Sequence, residues 1–271
     1  MNNNTGFMVY FYGFLSNMTF KNYKVIFLGV FLGLASLGAS AQDTAEKDWL
    51  ESYYESPAPE EFVQQMKNWA AEGVLELDRA KPALIAFTSQ LIRQNKDKLA
   101  GWYQELSGLT PAQQQVFRTA MLFSRTKEAD EIMLKEFGTR YTEEKQETKK
   151  ILELPLDKEA TADMLWGFFY ATGSEHAIRR IVLCFRFKEA PDRPDGVDIP
   201  EGYVPHYKEL PDFAHHSLVA NGERHPRLVE ILEKMLKENS SLVEVEKEGV
   251  YNILSELKPD QYPDRKDAKK A

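Results

Sequence analysis

The sequence has a single cysteine, Cys184, so no disulfide can form within the chain. Even in an oxidising compartment, packing has to supply the stability that disulfides give many small exported domains. Cys184 lies in RIVLCFRF, where the apolar neighbours predict a buried, unreactive thiol. It also stands far from the N-terminus, which excludes the cysteine that a lipoprotein carries just after its leader. Sustained apolar–polar alternation is missing, and without it half-buried strands are not expected. The chain lacks H-E-x-x-H, G-x-S-x-G, G-x-x-x-x-G-K and C-x-x-C. Those spacings would present a zinc pair, a serine nucleophile, a phosphate cradle or a redox dithiol. Positive charge is also short: 34 Lys and Arg stand against 42 Asp and Glu, a net charge of −8, with no clustered basic face. Such a surface repels nucleic-acid phosphates and anionic lipid, so neither is an expected partner.

Apolar material is plentiful. Hydrophobic residues make up 43% and aromatics 12% of the 271 residues, enough for a core and unlike a disordered chain. The most apolar run is VIFLGVFLGLASL at residues 25–37, preceded by Lys21 and Lys24 and followed by Ala39-Ser40-Ala41. A basic start, a short apolar run and an A-x-A site form a cleavable secretory signal. Residues 1–41 are therefore expected to be a signal peptide cut between Ala41 and Gln42, with the protein periplasmic or secreted. The apolar run is shorter than the roughly 20 residues needed to span a bilayer, so stable insertion after cleavage is not expected. Retention as an anchor is the alternative, because residues 7–15 (FMVYFYGFL) are also apolar. Translation from Met18 would give a signal of ordinary proportions. Loss of residues 1–41 removes two lysines and no acid, taking the net charge from −8 to −10.

Beyond residue 41 the period is helical. Phe62, Val63, Met66, Trp69 and Ala70 share a face, as do Leu84, Phe87 and Leu91, and then Leu99, Trp102, Tyr103 and Leu106. Thr110-Pro111-Ala112-Gln113 carries a Thr cap, Pro in the first turn and Gln reaching back, the three marks of a helix start. YTEEKQETKKILEL, residues 141–154, is polar with a thin apolar edge and reads as an exposed helix or spacer. Further on, Leu165, Phe168 and Phe169 precede a stop at Gly173, and Ser174 is placed to cap a helix burying Ile178, Ile181, Val182 and Phe185. Leu228, Ile231, Leu232 and Met235 follow Pro226, and Ser241-Leu242-Val243-Glu244 reads as a capping box for a last helix. The expected fold is all-α, a helical-repeat, α-solenoid-like array of antiparallel helix pairs. Its expected parts are an N-terminal helical region at 42–154 and a C-terminal helical-repeat region at 155–257. The proline-rich connection 188–212 lies within the second part, and a frayed tail occupies 258–271.

The repeat expectation rests on two similar turns, ATGSEH at 171–176 and ANGERH at 220–225. Each glycine suits a helix C-terminus with positive φ, and each histidine, His176 and His225, then opens the next helix. His206, His215, His216 and His225 are close in sequence, and a metal-assisted hydrolase using His206, His215, His225 and Asp212 is one reading. Against it, adjacent residues on a helix diverge by about 100°, so His215 and His216 do not serve one ion, and the spacing fits no ligand signature. Structural or surface histidines are the expectation, with no metal and no cofactor. Acidic pairs such as Glu60-Glu61 and Glu143-Glu144 read as solvated helix faces. Trp166, Phe168, Phe169 and Tyr170 read as core between helix layers. The other reading puts Trp166 and Tyr170, with Asn221, Tyr203 and His206, on the wall of a binding groove.

DMLWGFFYATGSEHAIRRI followed by HSLVANGERHPRLVEIL resembles a family of exported bacterial proteins with the pattern D-x-L-W-G-x-F-x-A-T-G and a downstream S-L-x-x-N-x-x-x-H-P. Asp163, Leu165, Trp166, Gly167, Phe168, Ala171, Thr172 and Gly173 occupy the first part here; Ser217, Leu218, Asn221, His225 and Pro226 occupy the second. DWLESYYESPAPEEF at 48–62 is similar as well, and His216 stands where that pattern has an aromatic. The resemblance implies export and an all-helical fold and assigns no activity. The functional expectation is a non-enzymatic helical scaffold that binds a protein or peptide in the cell envelope.

Overall fold

The computed structural model describes residues 48–191, 206–238 and 242–263. The expected signal peptide, Tyr203 with most of the proline-rich connection, Ser241 and the last residues of the tail lie outside the described residues. The described residues are all-helical, with no strand among them. In order they are α1 (Trp49–Ser52), α2 (Phe62–Ala71), α3 (Lys81–Gln94), α4 (Leu99–Glu105), α5 (Pro111–Ser124) and α6 (Lys127–Phe137). There follow α7 (Thr139–Glu147), α8 (Glu159–Thr172), α9 (Glu175–Val182), α10 (Leu210–Gly222), α11 (Pro226–Glu238) and α12 (Glu244–Leu257). Short 3₁₀ segments include Leu183–Glu189 after α9 and His206–Lys208 before α10. No helix of the described residues is long and apolar enough to cross a membrane.

Helix α3 is the centre of the packing. Every residue from Leu84 to Ile92 is buried, not only the expected Leu84, Phe87 and Leu91 stripe. Burial all round follows from position, since α3 packs against both α5 and α8. Two of its three buried polar positions are satisfied locally: Ser89 Oγ donates to the Ala86 carbonyl at 2.7 Å, and Gln90 Nε2 donates to Ser89 Oγ at 3.0 Å, while Thr88 Oγ1 has no hydrogen-bond partner. The contact with α8 depends on Gly167, where a Cβ would sit 2.0 Å from the Ala83 carbonyl oxygen. Only a glycine permits backbones that close.

The helix starts follow local chemistry. Gln113 N–H donates to Thr110 Oγ1 at 3.3 Å and Thr110 N–H donates to Gln113 Oε1 at 3.1 Å, the expected reciprocal cap of α5. The Leu228, Ile231, Leu232 and Met235 stripe of α11 is buried, as is the Ile178, Ile181, Val182 and Phe185 face at α9. Two caps differ from expectation. Ser174 precedes α9 without a side-chain capping bond; its N–H instead donates to Thr172 Oγ1 at 3.2 Å. α12 begins at Glu244 after Val243, whose N–H donates to Glu246 Oε2 at 3.0 Å, so the cap lies two residues beyond the expected one.

The two similar turns have different surroundings. Gly173 ends α8 with φ of 62°, as expected, whereas Gly222 is the last residue of α10 and is not among the positive-φ glycines. Gly222 sits instead under the Leu257 side chain, whose Cδ1 would lie 2.3 Å from a Cβ there and would have to shift. His176 is exposed on α9, while His225 is 3% exposed. Similar letters at the two elbows thus serve unlike roles, because different helices pack over them.

Helix α7 departs furthest from the sequence pattern. Its buried residues are Tyr141 and Glu144, with Thr148 buried just beyond its end. Glu143 is exposed as expected, but Glu144 is 4% exposed, which overturns the reading of this pair as a solvated face. The positions 141, 144 and 148 share one helix stripe. Tyr141 docks by donating its hydroxyl to Asp130 Oδ1 at 2.6 Å, and the rest of the stripe is carried inward with it.

Candidate functional site

The segment after residue 47 is tied down by a local cap. Leu50 N–H donates to Asp48 Oδ1 at 2.8 Å, which holds the four-residue α1 and aims Glu51 and the following tyrosines. Tyr54 N–H then donates to the Tyr170 carbonyl near the end of α8 at 3.0 Å. Its ring crosses Gly173, where a Cβ would meet Tyr54 Cδ2 at 2.9 Å. Gly173 is thus required twice, for its left-handed backbone and for this close approach.

Three chain segments meet around these residues. Tyr170 donates its hydroxyl to Asn221 Oδ1 at 2.6 Å, and Asn221 Nδ2 donates to the Ser217 carbonyl at 2.8 Å. Trp166 stacks on Tyr170 with centroids 5.9 Å apart. The His225 ring sits among Tyr54, Phe169 and Tyr170 at 5.8, 5.7 and 5.5 Å between centroids. Tyr54 Oη lies 3.3 Å from His225 Nδ1, and Glu51 Oε2 lies 4.0 Å from His225 Nε2. At the rim, Arg224 Nη1 pairs with Glu51 Oε2 at 2.8 Å.

Burial pushes the Tyr170 hydroxyl well above its ordinary range, and the nearby Glu51 carboxylate adds to the shift. Tyr54 is raised by burial first and then by Glu55. Desolvation also raises Glu51, against the pull of Arg224. Both phenols are therefore held neutral, as hydrogen-bonding groups rather than nucleophiles. The cluster is arranged to hold α1, the end of α8 and the α10–α11 elbow together.

Of the residues expected on a groove wall, Trp166, Tyr170 and Asn221 do come together, but they are 4%, 8% and 6% exposed and face one another. His206 is half-buried in the 3₁₀ segment before α10, and Tyr203 lies outside the described residues. The histidines take separate partners. His215 Nε2 lies 2.8 Å from Glu256 Oε1, and His216 Nδ1 bonds to the Asp212 carbonyl at 2.7 Å. His225 is inside the aromatic cluster. Among the described residues no group of three or more His, Cys, Asp or Glu side chains is placed to hold a metal ion. Those geometries give the hydrolase set of His206, His215, His225 and Asp212 no common centre.

Glu51, Tyr54 and Arg224 are the cluster members that the sequence reading did not single out. The available signal was the DWLESYYESP stretch, whose likeness to the family pattern marked the segment without assigning its side chains. Outside the cluster, an open cleft of about 540 Å³ lies beside the elbow between α11 and the end of α12. Pro226, Val229 and Leu257 form its apolar part, and Glu223, Glu230, Glu233 and Glu256 also line it. Lys258 Nζ pairs with Glu233 Oε1 at 2.5 Å on its wall. Compared with known proteins, the chain matches no family model, no curated sequence and no solved structure.

Proposed function

We propose that the chain is an exported helical scaffold that binds a protein or peptide partner in the cell envelope. The observation that supports this reading is the open cleft at the α10–α11 elbow, lined by carboxylates together with Pro226, Val229 and Leu257. An apolar floor with a polar rim is the usual anatomy of a protein-binding patch. Behind the cleft, the Tyr170–Asn221 bond and the buried His225 fix the elbow, so the partner would meet a preformed surface. Consecutive helices in contact, α8 with α9 and α11 with α12, suit the helical-repeat form of such a scaffold. Export rests on the residue 1–41 pattern, with Ala41–Gln42 as the cleavage point.

Crosslinked capture from an envelope fraction tests the reading, with mature protein as bait and a Glu223→Lys/Glu230→Lys double variant beside it. One prey held by the parent protein and lost with the variant is the expected result, at unchanged melting temperature. An empty capture, or one indifferent to both substitutions, overturns the proposal. N-terminal sequencing of the exported form should begin at Gln42; a start before Lys21 would show a retained tether instead.

A further inference from the structure

Helix α7 carries a buried carboxyl, Glu144, that is 4% exposed. Both oxygens of Glu144 are buried and neither has a hydrogen-bond partner. The stripe to which it belongs offers no aliphatic residue, only Tyr141, Glu144 and Thr148. Docking of α7 therefore rests on a phenol, a carboxyl and a threonine together with the Lys145–Asp130 ion pair, a composition that hydrophobic burial cannot secure by itself.

Several of the charges around Glu144 are already engaged elsewhere. On α7 itself, Arg140 favours the ionised form and Glu147 opposes it. From α6, Asp130 accepts from both Tyr141 and Lys145. Arg125, at the end of α5, donates to the Thr148 carbonyl. Beyond α7, Lys150 pairs with Glu153 at 2.9 Å. None of these groups reaches the Glu144 oxygens with a hydrogen bond.

We propose that α7 is a pH-released flap, docked while Glu144 is neutral and loosened once Glu144 ionises. An ionised carboxylate without a partner is costly to bury, and α7 can relieve that cost by swinging Glu144 into water. Burial raises the Glu144 carboxyl from 4.5 to about 7, which places the change near neutrality. The sign follows from proton linkage. The docked form binds the proton more tightly than the open form, so docking is strongest below the ordinary carboxyl range and weakens as pH rises towards neutrality. Opening uncovers the part of α6 around Asp130, which Tyr141 and Lys145 hold, since α7 packs against α6.

Amide hydrogen exchange on the full chain tests this directly. After correction for the intrinsic exchange rate, the opening equilibrium of the α7 amides should rise roughly tenfold between about pH 6 and about pH 8. Amides of α3 should stay unchanged. In Glu144→Gln, which keeps the shape and cannot ionise, the α7 amides should lose that pH dependence. NMR titration of the Glu144 carboxyl in the parent protein supplies the second readout, with a midpoint near neutrality expected. A midpoint in the ordinary carboxyl range would overturn the proposal, as would equal α7 protection at both pH values.

Discussion

The Tyr54 amide donates to the Tyr170 carbonyl at 3.0 Å, so a residue near the start of the described chain closes over the end of a central helix. That one backbone bond brings Glu51 and Tyr54 to the elbow that holds Asn221, Arg224 and His225. The segment contributes its side chains to a cluster more than 100 residues away in sequence, and the cluster's stability should depend on each link.

The Tyr170 hydroxyl is the most buried link. Tyr170→Phe removes its 2.6 Å bond and leaves Asn221 Oδ1 without its main donor. A loss of about 1–2 kcal/mol is expected, read as a lower urea midpoint at unchanged slope. No change would mean that the bond contributes nothing beyond what water supplies.

Gly167 should tolerate no side chain. With a Cβ placed 2.0 Å from the Ala83 carbonyl oxygen, Gly167→Ala forces α3 and α8 apart. Overpacking of this kind typically costs about 1–3 kcal/mol. Gly101, with open space around its Cβ position, serves as control, and Gly101→Ala on α4 should match or exceed the parent in thermal unfolding.

Asp163 sits half-buried on α8, and its carboxyl is held well above the usual range by desolvation, with Glu159 adding repulsion. A raised carboxyl favours the folded state at low pH, and that contribution is lost as pH rises through the raised value. Asp163→Asn should therefore stabilise the protein at neutral pH and lose its advantage near about pH 4. Urea titrations at the two pH values decide it. An Asn variant weaker than the parent at neutrality would show that the carboxylate has a stabilising partner.

Cys184 is fully buried and its thiol is pushed up to about 12 by burial. Thiol reagents should react only as the protein unfolds, so labelling should track global opening in increasing urea. Rapid labelling of folded protein would contradict the packing around the Leu183–Glu189 segment.

Much of the fold was legible locally. The Thr110–Gln113 cap, the stop at Gly173 and the apolar stripes of α9 and α11 each depend on residues within a turn or two of one another. Their chemistry is complete before the chain folds, and the structure retains it. The spacing argument that His215 and His216 diverge did not foresee their contact: the two rings meet edge to face at 5.7 Å, although their nitrogens take different partners.

The site was far less legible. His176 and His225 occupy matching positions in similar turns, yet one is exposed and the other lies among three aromatic rings. Glu143 and Glu144 are neighbours of the same type, and only the second is buried. By itself, the sequence determined which segments coil into helices and where several of them start and stop, because those preferences come from backbone geometry and nearby side chains. Only the tertiary structure decided which side chains are dry and which distant segments share a hydrogen bond. Burial depends on what packs over a face, and that neighbour is chosen by the whole chain.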